Sequence, residues 1–147
     1  MATAMDDITE LTFEQIATGL RAWAHGLYVV EAAVEVLLAH RAWLRRVDFR
    51  RAALWISDDN PAYIGVDWTN AARFAGRAPA SGSEIAMLRV AVGLAGQEVP
   101  ESLGDLLSGL DQANIAIVLD AVAHAAGWHE RGTVAFVTGG FASVAPA

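Results

Sequence analysis

Two segments of this chain, Leu27–His40 and Gln112–Ala126, are apolar around most of a helical circumference. In the first, Val29, Ala33, Val36, Leu37 and His40 share one face at helical spacing. Val34 and Leu38 nevertheless lie near the opposite side, beside Glu31 and Glu35. In the second, the stripe Ile115, Val118, Leu119, Val122 and Ala126 is backed by Ala113, Ile117 and Ala121. A helix that is apolar on all sides has to be covered on all sides. The centre of a small bundle holds one such helix easily. The second is left with a face to bury elsewhere, which predicts an all-α bundle that self-associates, most simply as a homodimer.

Composition agrees with a packed domain. Of 147 residues, 54% are hydrophobic and 18% charged, against roughly 45–50% apolar and about 25% charged in average soluble chains. Such a chain buries enough apolar surface to fold, so intrinsic disorder is excluded for most of it.

Local signals divide the chain into helices. Thr12 and Gln15 form a capping-box pattern that opens a helix over residues 13–25, ended by Gly26. Residues 40–55 either continue the second helix or break near Arg41 and restart with Asp48 as the cap of a helix over 49–56. The break is preferred, because one helix over 27–56 is long for a small domain. Asp58-Asp59-Asn60-Pro61 reads as a loop. Asp67 caps a helix over 68–75, which Gly76 ends. Ser81 and Glu84 form a second capping box, followed by the core stripe Ile85, Leu88, Val92 and Ala95. Pro100 suits the first turn of a short helix over 101–107, and Asp111 caps the last helix, over 112–126. The expected fold is a compact bundle of five to seven helices over residues 1–131. Residues 132–147 form an uncharged C-terminal arm in which Thr133–Thr138 is strand-prone, and any strand is expected only there.

The net charge of -7 excludes a general basic footprint for nucleic acid. With no cysteine, disulfides, thiolate nucleophiles and Cys-ligated zinc are excluded. No run approaches the roughly 18 apolar residues of a transmembrane span, and Met1–Glu10 lacks the basic start and apolar core of a secretory signal. A cytoplasmic protein without membrane contact is expected.

All ten basic residues are arginine, and Arg41, Arg45, Arg46, Arg50 and Arg51 fall within eleven positions, with Trp43, Phe49 and Trp55 interleaved. Guanidinium planes bind phosphate or carboxylate bidentately, and aromatic rings stack on bases. This cluster is the candidate partner-binding surface, for an acidic protein or for nucleic acid. Its blander reading is a solvated face paired with Glu31, Glu35 or Asp58. Asp120 and His124 are i,i+4 neighbours, the spacing at which a carboxylate can orient an imidazole for acid–base work. His124, His129 and Glu130 cluster at a helix end without a zinc-motif spacing. Glu31 and Glu35 read as a solvated pair, and Asp58, Asp59 and Asn60 as turn formers. Neither a metal nor a cofactor is expected.

Gly26-Leu27-Tyr28, Glu31-Ala32-Ala33-Val34-Glu35, His40, Trp43-Leu44-Arg45-Arg46, Asp48-Phe49, Ser83-Glu84, Leu88-Arg89 and Leu110-Asp111 with Asn114 together resemble small uncharacterised helical proteins of actinobacteria. The resemblance covers residues 12–127 and implies a helical domain. It brings no activity, cofactor or functional residue with it. The function expected from the residues is that of a non-enzymatic, homo-oligomeric interaction or accessory protein. A nucleic-acid-associated regulator using Arg41–Arg51 is the alternative, and a small enzyme using Asp120 and His124 is third.

Overall fold

Residues 7–131 are described in this computed structural model, and they hold seven α-helices, one two-stranded sheet and a closing 3-10 turn. The expectations for the arm over 132–147 lie outside the described residues. Helix α1 (Phe13–Ala24) opens with the expected capping box: Gln15 N–H donates to Thr12 Oγ1 at 3.1 Å, and Thr12 N–H to Gln15 Oε1 at 2.8 Å. Two helix-terminal donors are thereby satisfied. Gly26, at φ +95°, turns the chain where a side chain would be strained.

Helix α2 (Tyr28–His40) is the central helix. Ala32, Ala33, Val34, Val36, Leu37 and Leu38 are all buried, because α1, α5 and α7 pack around it. It ends at Arg41, whose φ of +69° lies in the left-handed region that non-glycine residues seldom enter. The chain breaks there, as the length argument expects.

Helix α3 (Val47–Ala53) begins after Arg46. Asp48 sits in its first turn and is not the cap. The helix also stops short of Ile56. Strand β1 (Leu54–Ile56) pairs antiparallel with β2 (Ile64–Val66), Trp55 opposite Gly65. Two expectations are corrected here, a helix through Ile56 and strands restricted to the arm. The cause is non-local. Residues 64–66 supply ladder partners that a sequence window over 49–56 does not contain, and aromatic and β-branched side chains suit the pleat. The sheet docks on α1 at Gly19, where a Cβ would lie 2.6 Å from Ile64 Cγ1.

Helices α4 (Trp68–Ala75), α5 (Gly82–Leu94) and α7 (Gln112–Ala125) carry the expected caps at Asp67, Ser81 and Asp111. Helix α6 (Leu103–Ser108) is capped by Ser102, so Pro100 stays outside it. Trp43, Phe49 and Phe74 make a buried aromatic cluster with ring centroids 5.6–5.9 Å apart. Trp43 Nε1–H donates to the Glu84 carbonyl at 2.8 Å, which gives the buried indole its polar partner. Among the described residues no helix is long and apolar enough to cross a membrane.

Helix α7 is rotated relative to its expected stripe. Val118 and Ala121 are buried against α2, whereas Leu119 is 39% and Val122 52% exposed. Both faces of α7 are apolar, so hydropathy alone does not choose between them. The chosen rotation turns His124 towards α2, where it meets Glu31.

Candidate functional site

Helices α2 and α7 run antiparallel, which brings the start of one level with the end of the other. Glu31 in the first turn of α2 meets His124 in the last turn of α7, with Nε2 and Oε1 2.7 Å apart. The other carboxylate oxygen accepts the Gly26 N–H at 2.9 Å. Glu31 is therefore fixed at both oxygens. Its hydrogen bond with His124, followed by that from Gly26, holds its pKa below the ordinary carboxylate value. An ionised carboxylate only accepts, so His124 Nε2 carries the shared proton.

Past α7, Gly127 takes φ +81° and the chain folds back as the 3-10 turn Trp128–Arg131. This turn lays the His129 ring on the His124 ring, with centroids 3.7 Å apart and planes within 5°. Tyr28 packs edge-on against His129 at 4.8 Å. Its hydroxyl is held by Glu130, which with burial raises the phenol pKa. His25 Nδ1 stands 3.8 Å from Glu31 Oε2 at the exposed rim. Together with Arg21 these residues line an open cleft of about 570 Å³. One ligand atom from each of Glu31, His124 and His129 lies within 4.8 Å of the others.

The Asp120–His124 pairing is corrected. His124 spends its Nε2 on Glu31, while Asp120 is exposed and only lines a neighbouring shallow cleft with it. Glu31 and Glu35 are likewise not a free solvated pair. Arg21 holds Glu35 through two hydrogen bonds, 2.8 Å from Nε and 3.2 Å from Nη2.

The five clustered arginines have separate roles. Arg50 is 7% exposed, and its place in an exposed partner-binding surface is corrected. Its Nε donates to the Leu44 carbonyl at 2.6 Å and its Nη1 to that of Leu11 at 2.8 Å, with longer contacts to Thr9 and Ile8. Burial lowers its pKa. Arg46 grips Asp48 through two bonds of 2.7 and 2.9 Å, donates to the Pro79 carbonyl, and lies over the Trp43 ring. Arg41 lies over Phe13 at 5.0 Å. Arg45 and Arg51 are exposed. No arginine of this group pairs with Glu31, Glu35 or Asp58 among the described residues.

Sequence reasoning missed the Glu31–His124 pair and the part played by Tyr28. One signal was available. Each of the two apolar helices carries an ionisable residue in the end turn that an antiparallel packing brings level, Glu31 in the first turn of α2 and His124 in the last turn of α7. No family model, curated protein or solved structure matches this chain.

Proposed function

We propose that the protein is a non-enzymatic interaction module that works as a homodimer through the outer face of α7. The observation that carries this reading is the exposure of Leu119 and Val122 in line with Ile115 and Ala126. These four residues follow i, i+4, i+7, i+11 spacing and form a continuous strip. Ala116 and Ala123 flank it, so a second helix can approach closely, and Gln112 at its start is uncharged. In a chain of net charge -7, two copies repel unless they meet on a neutral surface. This strip is such a surface, and a two-fold contact makes it complementary to itself. A cytoplasmic setting is part of the proposal and rests on the cysteine-free sequence.

Sedimentation equilibrium at micromolar concentration tests the reading. A dimer of the 15.6 kDa chain is expected, converted to monomer by the pair Leu119→Glu and Val122→Glu with unchanged helical circular dichroism. A wild-type monomer throughout the concentration range overturns it, as does a dimer indifferent to the two glutamates.

A further inference from the structure

We propose that Glu31, His124 and His129 form a binding site for one divalent transition-metal ion of the zinc type. Two imidazoles and one carboxylate are a recurrent zinc donor set, one that leaves a coordination position for water or another ligand. The three side chains come from the start of α2, the end of α7 and the closing 3-10 turn. Only the folded chain brings them together, since 93 residues separate Glu31 from His124.

The geometry is close to what the ion requires. Bonds of about 2.0–2.1 Å place ligand atoms about 3.4 Å apart in a tetrahedron. Here the atoms lie within 4.8 Å of one another, and the Glu31–His124 separation is 2.7 Å. One contact opens slightly and another closes. Glu31 and His124 part slightly, and the larger movement falls to His129, which is exposed on a one-turn element and can rotate out of its stack. Glu31 and His124 stay anchored by their helices. The ion takes the place of the proton that His124 Nε2 now directs at Glu31. In the neutral imidazole that proton sits on Nδ1, which leaves the Nε2 lone pair for the ion.

The surroundings suit a cation. Glu130 adds a second carboxylate beside the cleft through its hydrogen bond with Tyr28. The Gly26 N–H fixes the oxygen of Glu31 that does not face His124, which orients the first. Ligands held by such outer partners bind metal more tightly. The cleft is open on one side, giving the ion a path of entry.

The test is isothermal titration of the full chain with Zn²⁺, together with histidine ring NMR. One ion per chain is expected, with the signals of His124 and His129 shifting together while that of His40 stays in place. Outer-shell partners alone are worth roughly 10–100-fold in affinity, so His129→Ala, which removes an exposed ligand, should weaken binding at least that much. His129→Ala leaves the Glu31–His124 contact intact, so its fold is secure even if a Glu31→Gln variant proves unstable. Equal Zn²⁺ affinity in wild type and His129→Ala overturns the site. Binding that shifts His25 or His40 alone, or no binding at all, overturns it equally.

Discussion

The hydrogen bond of 2.7 Å between His124 Nε2 and Glu31 Oε1 joins two largely apolar helices, α2 and α7, through a polar contact. Both side chains are about one-quarter exposed or less. Removing either leaves its partner partly buried beside an apolar helix seam. Hydrogen bonds to charged groups contribute about 1.5–3 kcal/mol. We expect Glu31→Ala to lose about that much stability, since it also strips the Gly26 N–H of its acceptor. His124→Ala should cost less. A double-mutant cycle by urea denaturation should return a coupling of about 1 kcal/mol or more. Additive single effects would show the contact to be energetically idle.

Arg50 ties the segment before α1 to the corner between α2 and α3. Its guanidinium serves the carbonyls of Leu44 and Leu11 from different nitrogens. Lysine is a point donor and cannot reproduce that fork. A buried acceptor left without a partner costs about 1–3 kcal/mol. Arg50→Lys is therefore expected to destabilise by about 2 kcal/mol and Arg50→Met by more, measured by chemical denaturation. A change within 0.5 kcal/mol, the usual range of surface substitutions, would contradict the structural role.

The capped helices were legible because capping is decided within four residues. Thr12 with Gln15, Ser81 with Glu84, Asp67 and Asp111 each act as the sequence predicts. The break at Arg41 was legible from length alone. The hairpin was not, because Leu54-Trp55-Ile56 continues an apolar pattern and becomes a strand only by pairing with Ile64-Gly65-Val66. The rotation of α7 was hidden by its two apolar faces. The partner of His124 was hidden for a related reason. Asp120 is its neighbour on an isolated helix, but packing on α2 brings Glu31 closer.

The hairpin makes its own prediction at Gly65. A Cβ there would collide with Cζ2 and Cε2 of the Trp55 indole. Trp55 in turn packs edge-on against Trp23 of α1 at 5.8 Å. Gly65→Ala must expel the indole, break this contact and distort the ladder. Overpacking of this kind costs typically about 1–3 kcal/mol. A lowered melting temperature and a red-shifted tryptophan emission are expected together. Gly82→Ala is the control, since a Cβ at Gly82 meets nothing within 4 Å. Equal behaviour of the two variants would refute the close approach.

His40 closes α2 in a half-buried position, and its Nδ1 has no hydrogen-bond partner among the described residues. Burial lowers its pKa, and this outweighs the opposing pull of the nearby carboxylates Glu84 and Asp111. The unfolded chain exposes an ordinary histidine with a pKa of about 6.5. Below that value the unfolded state binds a proton that the native state refuses, so stability rises with pH. The contribution is complete above the unfolded value and is lost as pH falls through it. It levels off once the native His40 is itself protonated. Thermal melts between pH 7.5 and 5.5 should therefore show a falling midpoint for the wild type. His40→Gln stays neutral in both states and should flatten the His40 share of that slope, leaving the other histidines unchanged. Parallel curves for the two proteins would show that His40 titrates alike in the folded and unfolded chain.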